Sequence, residues 1–231
     1  MNQTNRHSKY RLFLAASLIV VLAWPVRAQF EGLVESQNIT TDDEGKPLKF
    51  TITMWIKSDR MRVETGQIGT TPPSTMIYRA DMKIVWMLND EDHSYFEILQ
   101  SPTAVAGDTD AKLTSSPSSL VRTKRKKSIL GYPCELYIVR DGDQATEIWG
   151  TRALPGLMMT TTRVLGEENE KDAPAWTEEL RQLGVFTLSA RTKISGKVVE
   201  AQDISKIEAQ SVDEGKFELP QGYKKQVIGG N

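Results

Sequence analysis

Residues able to do chemistry are few and scattered. Beyond residue 28 the sequence holds one histidine, His93, and one cysteine, Cys134. Acid–base catalysis and metal binding both need several such groups converging on one point. His93 stands beside Glu91 and Asp92 in a segment that reads as a turn, so a solvated turn residue is expected. Asp42, Asp43 and Glu44 precede Gly45 like calcium-loop material, but the alternating ligands and distal glutamate of such a loop are missing. Cys134 follows Pro133 in an apolar strand and is expected as a buried structural thiol. No phosphate-cradling glycine loop, zinc-protease helix or nucleophile elbow occurs. The sequence therefore predicts no enzyme, no cofactor and no metal site.

The densest chemistry is positive charge, in Arg122, Lys124, Arg125, Lys126 and Lys127. Such a run can dock on an anionic membrane surface through phosphate contacts. It can equally be a solvated edge strand whose charges discourage sheet-to-sheet aggregation. No aromatic residues interleave with it and no nucleic-acid module is present, so nucleic acid is not an expected partner.

The elements that must carry these residues are strands. Alternation of period two runs through residues 49–57, where Phe50, Ile52, Met54 and Ile56 share one side. It continues at 60–64 after a Ser58-Asp59 turn, then at 75–78, 83–88 and 94–99, which reads as a meander. Residues 100–120 are rich in Ser, Thr, Pro and Asp and read as a surface loop, with room for a short helix at 104–113. Strands follow at 121–129, 134–139 and 145–151, the last two joined at Asp141-Gly142, and a hairpin at 186–194 and 198–211 turns on Ser195-Gly196. That makes about ten strands. One helix is predicted at 174–183, with Pro174 in its first turn, Trp176, Leu180 and Leu183 on one stripe, and Gly184 at its end. It is expected to pack on the sheet or to form a lid over an apolar cavity. Met158 and Met159 invite the same two readings, as core filler or as adaptable ligand contacts.

The 231 residues are 39% hydrophobic and 26% charged, with a formal charge of −1. These values exclude a disordered chain, a collagen-like fibre and a multi-span membrane protein. Residues 1–28 place Arg6, Lys9 and Arg11 before the apolar run 12–24 and a small residue, Ala28, at a plausible processing site. This order predicts a secretory signal peptide and an exported, periplasmic, soluble domain over 29–231. The apolar run is shorter than the roughly 20 residues a membrane-spanning helix needs. The segment removed carries four basic and no acidic side chains, so the remaining domain is net acidic. With one cysteine, its stability must come from packing.

Several short motifs occur in a fixed order. They are Phe30-Glu31-Gly32, Arg60-Met61-Arg62-Val63-Glu64, the stretch from Ile129-Leu130-Gly131-Tyr132-Pro133-Cys134 through Glu135-Leu136-Tyr137, Glu147-Ile148-Trp149, and Phe217-Glu218-Leu219-Pro220-Gln221-Gly222-Tyr223. In these the chain resembles an uncharacterised bacterial family of exported domains within the periplasmic lipoprotein-carrier (LolA-like) superfamily. The resemblance implies a mainly β (α+β) fold, a curved antiparallel sheet or incomplete β-barrel with one or two covering helices. In characterised relatives the concave apolar face holds acyl chains.

The resulting expectation is a binding protein that holds a lipid or lipidated polypeptide. Its inward face is expected to comprise Phe50, Ile52, Met54, Met61, Val63, Ile84, Trp86, Leu88, Leu136 and Ile138, with Met158, Met159, Trp176 and Leu180 above it. The alternative is a cell-envelope structural or interaction module without a cavity, using Trp55, Val85, Met87 and Tyr137 on the opposite face.

Overall fold

A computed structural model describes residues 29–100, 119–158, 161 and 175–226. The expected leader and most of the 100–120 loop lie outside these residues. Twelve strands are described: β1 (Glu31–Thr41), β2 (Pro47–Lys57), β3 (Arg60–Thr65), β4 (Ser74–Arg79), β5 (Ile84–Asn89), β6 (Ser94–Leu99), β7 (Ser119–Ile129), β8 (Tyr132–Asp141), β9 (Gln144–Thr151), β10 (Phe186–Ile194), β11 (Lys197–Ala209) and β12 (Lys224–Gln226). They form one curved sheet in the order β12-β6-β5-β4-β3-β2-β1-β11-β10-β9-β8-β7. The outer strands β12 and β7 do not meet, so the sheet is unclosed. The count is twelve rather than about ten because β1 and β12 escaped the alternation pattern.

Two antiparallel meanders make this sheet, one from β1 to β6 and one from β7 to β11. They are joined where β1 pairs antiparallel with β11 while also pairing with β2 along its whole length. The short β12 adds parallel to β6. Tight turns set the hairpin registers. Leu130 and Gly131 (φ 51° and 81°) link β7 to β8, and Ser195 and Gly196 (φ 49° and 81°) link β10 to β11. Two successive left-handed residues give the turn whose twist matches paired strands, and glycine takes that conformation without steric cost.

The core has three parts. Val34, Ile56, Met61, Tyr78, Val85, Leu157, Leu188 and Ile204 lie in the largest cluster, together with Cys134. Ile77, Ile84, Trp86 and Leu88 pack with Val212 and Phe217 in a second. The helix α1 (Ala175–Gln182) contributes Leu180 to a third, with Tyr137, Val139, Ile148 and Val185. Each large side chain so buried contributes roughly 1.5–3 kcal/mol, enough to hold the domain without a disulfide.

At two glycines close approach leaves no room for a side chain. A Cβ on Gly32 would stand 2.1 Å from the carbonyl oxygen of Glu208, and one on Gly150 would stand 2.2 Å from Val185 Cγ1. Gly32→Ala pushes against backbone, whereas Gly150→Ala pushes against a side chain that can shift. We expect Gly32→Ala to cost about 1–3 kcal/mol and Gly150→Ala less, read as the shift in the urea unfolding midpoint. Equal midpoints for wild type and Gly32→Ala would remove the close approach at β1–β11 as a determinant of the fold.

Candidate functional site

Register decides which side chains share a face, because residues directly opposite on neighbouring strands point the same way. Met54 pairs with Val63, Val63 with Met76, Met76 with Met87, and Met87 with Phe96. This continuous apolar row crosses five strands, β2 to β6. Val34 of β1 extends it. The neighbouring row, Ile56, Met61, Tyr78 and Val85, lies on the same face and is buried. The first row is not: Met54, Val63, Met76 and Phe96 are half-buried and Met87 is 40% exposed. Phe50 and Ile52 lie further along β2 on this face, also half-buried.

The ten residues expected on one inward face are divided between two. Phe50, Ile52, Met54, Met61 and Val63 share the row face. Ile84, Trp86 and Leu88 pair with Arg79, Ile77 and Thr75 and point the other way. Leu136 and Ile138 also face away, since their neighbour Tyr137 connects through Ile148, Ala190, Gln202 and Asn38 to Phe50. Conversely, Val85, Met87 and Tyr137, expected opposite the inward face, stand on the row side, and only Trp55 stands opposite. On β5 the cause is that Ile84, Val85 and Trp86 are all buried, so the run carries no alternation from which to read a face.

On the opposite face, Ile84, Trp86 and Leu88 are covered by the segment after β11, through Val212, Phe217, Leu219 and Tyr223. Cations clamp that segment. Lys57 Nζ donates to the Val212 carbonyl at 2.8 Å and pairs with Glu214 at 3.0 Å. Lys216 Nζ lies 4.5 Å from the Trp55 ring. Arg79, only 7% exposed, does most. It donates to both oxygens of Asp81 (2.9 and 2.8 Å), to Glu218 (3.0 Å) and to the Phe217 carbonyl (3.3 Å), with its guanidinium 5.6 Å from the Trp86 ring centre. These three strand residues are therefore packed by the chain itself.

The remaining expected site residues lie elsewhere. Trp176 and Leu180 of α1 fill the third core cluster over β8 and β9. Met158 is half-buried in the helical turn at 155–158, and Met159 lies outside the described residues. Cys134 is buried, its thiol raised by desolvation, with Sγ 3.4 Å from the Tyr132 carbonyl. His93 is exposed in a turn and stacks on Tyr223. Among the described residues no cluster of three or more His, Cys, Asp or Glu side chains is placed to hold a metal. No described helix is long and apolar enough to cross a membrane.

The basic run does not form a uniform strip. Arg122 and Lys126 reach Glu135 at 2.6 and 3.6 Å, while Arg125 and Lys127 lie 5.7 and 4.3 Å from the Trp149 ring. Lys124 is exposed in the irregular stretch between Arg122 and Lys126, where the β7–β8 register shifts. Two clefts of similar size are present. One, of about 520 Å³, is lined by Arg122, Lys126, Lys127, Glu135, Tyr137 and Arg152 among others. The other, of about 500 Å³, lies between Phe30 and the 153–157 turn. None of the thirteen described residues expected to hold a hydrophobic ligand lines either cleft.

Comparison with known proteins places the chain in a family. Residues 30–223 match the family described as "Domain of unknown function (DUF4412)". The chain belongs to that family. No curated protein matches its sequence. Among solved structures, the DUF4412 domain is similar to an uncharacterized conserved protein from Thermus thermophilus, at 11% identity over 85% of this chain and 91% of the other, with a TM-score of 0.45. It is also similar to PNGF-II, at 13% identity and a TM-score of 0.40, over 86% of this chain but 31% of that one. A LolA superfamily protein from Nitrosomonas europaea matches at 8% identity over 82% of this chain and 90% of its own, with a TM-score of 0.34. At these values none of the three assigns a ligand or an activity to the DUF4412 domain.

The clamp is open to test by acid. The hydrogen bonds from Arg79, with the charges of Arg79 and Arg60, outweigh desolvation and hold the Asp81 carboxyl below its ordinary value of 3.8. A depressed carboxylate stabilises the fold above its unfolded-state range, and that contribution is lost as pH falls through the folded value. Arg79→Ala should destabilise by about 2 kcal/mol at pH 7. Its unfolding temperature should also fall less than that of wild type between neutral pH and about pH 3. Parallel pH profiles for the two proteins would show that the Arg79–Asp81 pair contributes nothing.

Proposed function

We propose that this chain is an exported, non-enzymatic binding protein that holds a hydrophobic ligand, a lipid or lipidated polypeptide, on the methionine-rich face of its curved sheet. The carrying observation is the row Met54-Val63-Met76-Met87-Phe96, apolar across five strands and only half-buried. The opposite face of the same strands is filled by the chain's own residues 212–223. A sheet that needed this row only for folding would gain by covering it too. Thioether side chains are unbranched and polarizable, which suits a surface that must accept acyl chains of varied shape. The leader at 1–28 supports export, and the absence of convergent catalytic groups in the sequence supports binding without chemistry.

A second reading is favoured by a different feature. Leu99, 72% exposed at the end of β6 on the face opposite the row, suits docking of a protein partner in the cell envelope.

The test is native mass spectrometry with lipid extraction on protein purified from its own host. The expected result is a co-purified apolar molecule at a fixed ratio. Met87→Asp, which puts a charge in the row, should reduce its retention at least about tenfold, while Leu99→Asp on the other face should not. Ligand-free protein that recovers a stoichiometric protein partner lost in Leu99→Asp would favour the second reading. Equal retention by both variants would sink the row as the ligand face.

A further inference from the structure

We propose that the cleft between β7, β8 and the end of β9 is a phosphate-binding site, built by Arg122, Lys126 and Arg152. This does not rest on the apolar row, which lies on β2 to β6. Arg152 carries the inference. It stands outside the linear basic run and is brought to Arg122 and Lys126 by the β8–β9 pairing, so that the three line one concavity of about 520 Å³.

The charge balance is uneven. Three cations, Arg122, Lys126 and Arg152, stand against one carboxylate, Glu135. Burial alone would push the Glu135 carboxyl up, but the hydrogen bond and charge of Arg122, with the charges of Lys126 and Arg152, more than offset it and the net shift is downward. Glu135 thus stays ionised and draws on Arg122 and Lys126, which reach it at 2.6 and 3.6 Å. The Lys127 ammonium lies over the Trp149 ring, on the face of Cys134 and Leu136 rather than of Glu135, so its charge is not part of this surplus. The charge of Arg152 also acts on the Tyr137 hydroxyl, which lies 3.4 Å from Glu135. A single carboxylate leaves a surplus of positive charge in a concavity open to solvent. The cationic groups are planar guanidinium forks and ammonium donors, which together suit the tetrahedral oxygens of a phosphate.

The arrangement separates a site from a solvated charge run. If the run acted only as a strip of charge, every cation in it would count equally and Arg152 would not count at all. In the cleft, Arg152 and Lys126 take part and Lys124 does not, because Lys124 stands outside its lining. The phosphate can come from a lipid headgroup or from a free phosphate in solution.

Two probes at low ionic strength distinguish those sources: inorganic phosphate followed by calorimetry, and phosphatidylcholine vesicles with and without phosphatidylglycerol followed by co-sedimentation. Saturable binding is expected with at least one probe, fading with salt because screening shortens to about 10 Å at 0.1 M. Arg152→Gln and Lys126→Gln should each weaken it about tenfold, the loss of one charge-assisted contact. Lys124→Gln should change it less than about twofold, and Glu135→Gln should tighten it. Binding of inorganic phosphate with that pattern identifies a free-phosphate site; the pattern on phosphatidylglycerol vesicles alone identifies a headgroup site. No saturable binding of either probe, or equal losses in Lys124→Gln and Arg152→Gln, would overturn the proposal.

Discussion

The structure depends on one strand being paired on both sides. β1 joins the two meanders by pairing with β2 on one side and β11 on the other, so most of its backbone donors and acceptors are spent within the sheet. Without it, the β2–β6 and β7–β11 meanders would be separate sheets with exposed inner edges, which invite association. The close packing at Gly32 follows from the same constraint, because a side chain there would meet the Glu208 carbonyl. A central strand must also satisfy any polar group it buries. Ser36 and Asn38, both buried, do so mutually, with Asn38 Nδ2 donating to the Ser36 hydroxyl at 2.9 Å.

Once the sheet is joined, its two faces follow different chemistry. Over β3 to β5 one face is closed by the segment after β11, held by directional contacts from Arg79 and Lys57. Those contacts have fixed partners and leave no choice of occupant. The other face presents Met54, Met76 and Met87, whose contacts are non-directional and weak singly. Such a surface accepts many shapes and specifies none, which is why it suits a variable apolar ligand better than a unique internal packing partner. Helix α1 belongs to the fixed packing, since Leu180 is 3% exposed within the third cluster.

Much of this was legible in the sequence, but unevenly. Wherever one face was wet, alternation marked the strand, as in residues 49–57 and 186–194. The left-handed turns at Gly142 and Gly196 were likewise marked by residue type. β1 was missed because its buried positions include Ser36 and Asn38, so burial and hydrophobicity part company there. β12 was missed because three residues pairing parallel to β6 carry no pattern of their own. The face assignment of Ile84, Trp86 and Leu88 failed for a further reason. A run buried on both sides, as Ile84, Val85 and Trp86 are, has no wet side, and its facing comes from the Arg79–Ile84 pairing across a turn, which residue type does not mark. The same holds for Met76 and Phe96. Each is an ordinary apolar residue in sequence, and only cross-strand register reveals that they complete a row. The Arg152 contribution to the basic cleft was illegible because it lies far along the chain from Arg122.

The apolar row and the basic cleft are on the same side of the sheet by register, yet far apart along it. From Met54 on β2 to Tyr137 on β8 the path crosses five strand spacings, through β1, β11, β10 and β9. At about 4.8 Å per spacing this is about 24 Å along the sheet. The fully buried third cluster, with Ile148 and Leu180 packed over that path, stands between them. A ligand cannot lie flat across protein that is already packed. As proposed sites the two would therefore act as separate surfaces, one governed by apolar contact and insensitive to salt, the other by charge and strongly sensitive to it. Groups so far apart with no shared partners contribute additively. Coupling between them would require the packed region over β8 and β9 to open, which would expose Leu180, Ile148 and Tyr137 at a cost of several kcal/mol.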